Sequence, residues 1–382
     1  MELHEKEYAH WLSNVSGIGS ATIDKLLEAG FTCKDVYTAG AKELSAILKP
    51  KQLKSLQESR YSWDFEREIQ KLEEKKIRFI SKFDAEFPEK LKFIPDAPFS
   101  IYVKGKLPDP EIPSVAIIGA RMCSDYGRYM ARQFGRGLAM SGVQVISGMA
   151  RGIDGIAQHA AITAGGRSFA VLGCGPDICY PEENKDVYDL LPNSGGIISE
   201  YPPGMEPISR FFPMRNRIIS ALSDVLLVVE ARQKSGTSIT VDTALEQGRE
   251  VLAVPGRVTD RLSDGCNYLI SQGAGVAINV EDVLDRLWQL EKPKTASMAY
   301  CKTVEQNKYI DDEMSFGKSK ENTIEDDILS ILDIIPVSTS YIMEELYRRG
   351  RDTSIPILMA TLMDMTGCGK IAQNGAYYRK VS

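Results

Sequence analysis

From about residue 114 to 291 the sequence alternates short runs of β-branched residues with helix-patterned stretches, and no other feature constrains the fold as tightly. Strand candidates fall at 115–119, 143–147, 168–172, 197–200, 225–230, 251–254 and 275–278. Amphipathic stretches at 126–140, 212–222, 238–247 and 266–272 lie between them. A chain that returns to an apolar strand after each helix builds a mostly parallel sheet covered on both faces. Right-handed crossovers make this an α/β domain of Rossmann-like, doubly wound type.

The flanks read differently. Residues 1–65 form short helices with polar joints, a helical domain of helix-hairpin-helix or SAM-like type. Within it Val15-Ser16-Gly17-Ile18-Gly19-Ser20-Ala21 is a glycine turn feeding a helix. Such a turn either holds one phosphate of a nucleic-acid backbone or serves packing alone. Residues 66–113, rich in proline, read as a helix followed by an extended approach to the sheet, so 66–291 is taken as one extended Rossmann-like domain. An acidic, flexible linker is expected at 292–321, and a winged helix at 322–382: helices at 324–332, 340–349 and 354–365, then two strands around Asn374-Gly375. The segment 354–365 contains no Lys or Arg, which favours a protein contact over reading of a DNA groove.

Composition narrows the chemistry. No apolar run approaches a membrane span, and the N-terminus has no basic-then-apolar signal, so a cytoplasmic protein is expected. The 7 cysteines form no Cys-x-x-Cys pair and read as reduced and mostly packed; no metal site is expected. Of the 3 histidines, His159 lies in a helical pattern and reads as a packing residue. The net charge of -6 argues at first against a nucleic-acid partner, but the whole acidic excess lies within 281–333. Between Val115 and Ala150 the only charges are Arg121, Arg128, Arg132, Arg136 and Asp125.

The strand ends carry the chemistry. At the first, Gly119-Ala120-Arg121 puts an arginine where a dinucleotide fingerprint has its second glycine, so no dinucleotide or other cofactor is expected. Arg121 instead offers a charged fork suited to a phosphodiester. Ser147-Gly148-Met149-Ala150-Arg151-Gly152-Ile153-Asp154 is a small-residue loop with a second arginine, its Asp154 reading as a helix N-terminal charge. Arg215, Asn216 and Arg217 open a helix and, with Arg210, read as a basic cluster with no acid between Pro207 and Ser223; Phe211 and Phe212 add rings on which a base could stack, with core packing expected of at least one. Lys234, Ser235, Gly236 and Thr237 form a further anion cradle that lacks the P-loop pattern.

This series of motifs, together with Gly173-Cys174-Gly175-Pro176-Asp177, Tyr180-Pro181-Glu182-Glu183-Asn184, Ser199-Glu200-Tyr201-Pro202-Pro203-Gly204 and Val254-Pro255-Gly256, resembles the DNA-processing protein DprA (Smf) family over about 170 residues. The resemblance implies a bacterial single-stranded DNA-binding protein without a catalytic reaction, a recombination mediator that protects incoming DNA and loads the recombinase RecA in natural transformation. It also implies a homodimer formed through the Rossmann-like domain, with DNA contacts at Arg121 in the Gly-x-Arg motif. Glu182 departs from the pattern, standing where some members have a basic residue, with Lys185 close by. A competing reading, from the Ser235-Gly236-Thr237 cradle, is a nucleotide-binding enzyme of the lysine-decarboxylase-like phosphoribohydrolase type.

Overall fold

Strands that are aliphatic on both faces must be sandwiched between helices, and the central strands of this chain are of that kind. The computed structural model describes residues 3–290, 323–332, 337–348, 351, 353–374 and 377–381. It divides into two compact units, Met1–Leu290 and Glu291–Ser382.

The first unit begins with six helices, α1 (Glu5–Ser13), α2 (Ser20–Glu28), α3 (Cys33–Thr38), α4 (Ala41–Leu44), α5 (Pro50–Ser62) and α6 (Phe65–Glu74). Next come β1 (Ile77–Ser81), α7 (Glu89–Lys92) and β2 (Ser100–Gly105). The alternating region follows as β3 (Ser114–Ile118), α8 (Asp125–Met140), β4 (Gln144–Ser147), α9 (Ile153–Thr163), β5 (Ser168–Leu172), α10 (Lys185–Ser194) and β6 (Gly195–Ser199). It ends with α11 (Phe211–Leu222), β7 (Val225–Val228), α12 (Gly236–Glu246), β8 (Glu250–Ala253), α13 (Asp264–Ser271), β9 (Gly275–Val276) and α14 (Val280–Leu290). Each strand expected from the alternation is present, with ends shifted by at most two residues.

The strands form one 9-stranded sheet in the order β1-β2-β6-β5-β4-β3-β7-β8-β9. Pairing is parallel from β6 to β9 and antiparallel at β1–β2 and β2–β6. The extended approach expected over 66–113 is thus corrected to two strands that widen the sheet. Pro88, Pro95 and Pro98 sit in their connection, outside both ladders, where proline costs no ladder hydrogen bond. The order of growth reverses at β3: β4, β5 and β6 extend one way, β7, β8 and β9 the other. That places the topological switch point between β3 and β7.

Alternate residues face alternate cores. Ala116, Ile118, Ile146 and Val228 pack with Ile218, Ile219 and Val241 under α11 and α12. Val115, Ile117, Val145 and Leu227 pack with Ala131, Phe134, Ala157 and Val283 under α8, α9 and α14. A third core joins Trp11, Leu12, Ile23 and Val36 of the N-terminal helices to Phe79, Phe99 and Tyr102. His10 belongs there, 6% exposed among rings, whereas His159 is exposed. The expectation of a packed His159 is therefore corrected: its helix position faces solvent. Cys33, Cys174 and Cys266 are buried, Cys123 and Cys179 half-buried and Cys368 exposed.

In the second unit, α15 (Ile324–Ile331), β10 (Val337–Ser338), α16 (Thr339–Arg348), α17 (Ile355–Gly367), β11 (Ile371–Asn374) and β12 (Tyr377–Lys380) surround Ile328, Ile342, Leu346, Leu358, Leu362 and Tyr378. Its sheet runs β10-β12-β11, an order compatible with a winged helix. The expected linker at 292–321 and the turn residue Gly375 lie outside the described residues. Among the described residues no helix is long and apolar enough to cross a membrane.

Candidate nucleic-acid interface

The switch point is assembled by close backbone approach. A Cβ on Gly119 would stand 2.8 Å from the Glu230 carbonyl oxygen and 2.7 Å from Ile153 Cγ1. The Ala120 N–H donates to that carbonyl at 2.6 Å, and the Ile153 N–H donates to the Ala120 carbonyl at 3.2 Å. The junctions after β3, β4 and β7 are thereby tied together at one edge, with Arg121 exposed beside them. Glu230, 1% exposed, is consumed by structure: its carboxylate accepts from the Ser124 N–H at 2.8 Å and from the Ser124 hydroxyl at 2.5 Å, fixing the start of α8.

The loop after β4 is held from several sides. Ser147, fully buried, donates its hydroxyl to the Ile117 carbonyl at 2.6 Å. The Gly148 N–H donates to Asp154 at 3.1 Å, and the Asn184 amide donates to the carbonyls of Met149 and Ala150 at 3.0 and 2.9 Å. Met149 (φ 53) and Gly152 (φ 74) take left-handed backbone, and a Cβ on Gly152 would collide with the Ala120 carbonyl oxygen. The loop so fixed presents Arg151, which is exposed and paired with Glu183 at 2.6 Å.

Arg215 and Arg217 do not form the open basic cluster expected of them. Arg215 is 5% exposed; its Nη1 donates to the Gly148 carbonyl at 2.7 Å and to the Val171 carbonyl, and its Nε to Asn216 Oδ1 at 3.2 Å. Burial lowers its pKa to about 10, against the pull of the Asp154 charge, and burial likewise raises the pKa of Asp154. Arg217 Nη2 donates to both oxygens of Glu200 at 2.8 Å. Glu200, which pairs with Arg217, and Asp154, whose charge acts on Arg215, lie outside the local stretch of sequence, so a local charge count misses them. Glu200 also accepts from the Ser20 hydroxyl at 3.3 Å, and that hydroxyl accepts from the Phe99 N–H at 3.0 Å. Through Ser20 the N-terminal glycine turn is thus docked against the end of β6.

What remains at the surface is an alternation of rings and guanidinium groups. Arg121 lies 5.6 Å over the Phe212 ring, which stacks on Tyr180 at 5.5 Å. Arg210 lies 5.2 Å over Phe211, which stacks on Tyr201 at 4.0 Å. Both phenylalanines are half-buried and Tyr180 is exposed. Burial, then the Glu200 charge, pushes the Tyr201 hydroxyl up to about 12. The Tyr partners were not legible as ring partners in the sequence, because Tyr180 and Tyr201 come from two other strand-end loops. Met122, 87% exposed, follows Arg121.

After β7, exposed Lys234 and Gly236 and half-buried Ser235 and Thr237 lead into α12, across the switch point from Arg121. No side-chain cap closes that helix start. Lys185 pairs with Asp189 at 2.5 Å, and Glu182 is exposed. Among the described residues no group of His, Cys, Asp and Glu is arranged to hold a metal ion.

The sequence profile of the DNA recombination-mediator protein A family matches residues 78–288. The chain is 42% identical over 209 residues to a DNA processing protein DprA of Streptococcus pneumoniae, covering 55% of this chain and 74% of that one. It is 33% identical over 289 residues to a protein Smf of Synechocystis, covering 74% and 73%. The X-ray structure of the S. pneumoniae DNA processing protein A superposes with a TM-score of 0.65 at 34% identity, over 75% of this chain and 98% of that one. A Helicobacter pylori DNA processing protein A, whose structure was described for its single-stranded DNA binding mode, aligns with a TM-score of 0.50 at 29% identity, over 56% and 96%. These similarities bear out the resemblance carried by the motifs.

Proposed function

Because the chain belongs to the DNA recombination-mediator protein A family, we propose that it binds single-stranded DNA as a recombination mediator, protecting incoming strands and loading RecA onto them in natural transformation. The single observation that carries the DNA-binding part is the convergence of exposed Arg121, the Tyr180–Phe212 and Tyr201–Phe211 stacks and the open start of α12 on one edge of the switch point. Guanidinium groups and helix-start amides suit phosphates; ring faces suit any base, so binding is sequence-tolerant and weakens steeply with salt. In this reading Arg121, Arg151, Lys234, Ser235, Gly236 and Thr237 contact the strand. Gly119, Ser147, Gly148, Arg215, Asn216 and Arg217 shape the loops that present them.

The description of the H. pylori relative by its single-stranded DNA binding supports the same reading. No chemical step is assigned. Cleavage of a nucleotide's glycosidic bond asks for a carboxylate open to the ligand, and the carboxylates packed at these strand ends are engaged: Glu230 by Ser124, Asp154 by the Gly148 N–H and Glu200 by Arg217. The homodimer is proposed through the β9 edge, where exposed Val276, Ile278, Tyr268, Trp288 and Leu290 surround a two-residue edge strand. For the second unit a protein contact is proposed, because α17 exposes Ile355, Ile357 and Met363 and carries no basic residue.

A gel-shift series with matched single- and double-stranded oligonucleotides tests the reading. Preference for the single strand is expected. Equal binding of duplex, or release of free base from nucleoside monophosphates, would overturn it.

A further inference from the structure

Helix α8 starts directly after the Arg121 loop, at the edge where the proposed site lies, and runs from there back along the sheet. Its inner face is apolar, with Met130, Ala131, Phe134 and Leu138 in the core. Its outer face carries Arg128, Arg132 and Arg136, every fourth residue, all exposed. At 1.5 Å rise per residue their Cα atoms stand about 6 Å apart along the axis, comparable with the separation of neighbouring phosphates in an extended single strand.

None of these three arginines has a salt bridge or side-chain hydrogen bond among the described residues. Elsewhere in the unit Arg78, Arg151, Arg167, Arg217 and Arg286 each meet a carboxylate and Arg60, Arg215 and Arg249 meet backbone carbonyls; what sets Arg128, Arg132 and Arg136 apart is that they stand in a row on one helix face. Like charges at i,i+4 on a helix repel. A row of three exposed guanidinium groups with no carboxylate partner among the described residues is open to an anionic ligand. The geometric period, and the position of Arg128 one turn into the helix that follows the Arg121 loop, fit a phosphodiester backbone better than the irregular carboxylates of a protein surface; Asp125, at the start of that helix, is its one carboxylate.

We propose that Arg128, Arg132 and Arg136 form a second phosphate track, which carries a single strand onward from the Arg121 site along the outer face of α8. The inference rests on the single-strand reading and adds a length dependence to it: a short oligonucleotide fills the edge site alone, a longer one reaches the helix.

The test uses the full chain and the triple variant R128Q/R132Q/R136Q, with oligothymidines of about 6 and about 20 nucleotides, a range that brackets one binding module. The variant is expected to bind the short oligonucleotide as the wild type does and the long one about tenfold more weakly. The slope of log affinity against log salt for the long one should fall by about 2, at roughly 0.7 for each phosphate no longer neutralised. Circular dichroism melts of both proteins should coincide, since all three side chains face solvent. Unchanged affinity and slope for the long oligonucleotide would overturn the track while leaving the edge site standing. Equal weakening for both lengths would overturn it too, by showing a general charge effect. A wild type that binds neither length would refute the single-strand reading itself, and the track with it.

Discussion

His10 lies among Trp63, Phe79 and Tyr102, with ring centroids 5.4, 4.8 and 5.8 Å away. Burial there lowers its pKa from 6.5 to about 4. Below pH 6.5 the unfolded chain takes up a proton that the folded chain refuses, so this stability is complete above 6.5 and is lost as pH falls towards 4. The loss should reach about 2 kcal/mol at pH 5, read as a falling urea midpoint, and His10→Phe should flatten that dependence. Glu200 holds the Arg217 guanidinium through both of its oxygens. Replacing it with Ala strands the Arg217 guanidinium, 7% exposed, and should destabilise the unit by about 3 kcal/mol. In the same denaturation assay the double variant E200L/R217M should recover most of that loss. Individual residues differed in how far the sequence revealed them. Arg121 was legible because glycine, arginine and strand end are contiguous. The burial of Arg215 and Arg217 was not, because the Gly148 and Val171 carbonyls and Glu200 meet them only once the sheet is assembled.

Among the elements, the parallel strands were legible because both-face burial leaves unbroken aliphatic runs such as Val225–Val228. The β1–β2 pair was hidden by the prolines between its strands, and α10 carries Pro192 inside its helix. The ring stacks were illegible for a different reason: each joins α11 to a separate loop, and no local period marks that meeting. The β3–β7 crossing depends on Gly119 having no side chain. Gly119→Ala should push β3 from the Glu230 carbonyl and Ile153, costing about 1–3 kcal/mol in urea unfolding. An unchanged midpoint would show that the crossing relaxes freely.

For the molecule as a whole, the acidic surplus lies within 281–333, so it spans α14 and the first part of the second unit. The net charge of -6 is therefore no guide to the carboxyl edge of the sheet, where arginines and rings dominate. If the first unit alone binds the strand, deleting residues 292–382 should leave oligothymidine affinity within about threefold, about 0.7 kcal/mol. A larger loss would assign DNA contacts to the second unit. The central claim is that Arg121 at the switch point holds a phosphate, and the most direct measurement is fluorescence anisotropy of a labelled oligothymidine at fixed salt. Arg121→Ala should weaken binding about tenfold or more, as removal of one charge-assisted hydrogen bond of about 1.5–3 kcal/mol requires. A folded Arg121→Ala protein with wild-type affinity would contradict the account.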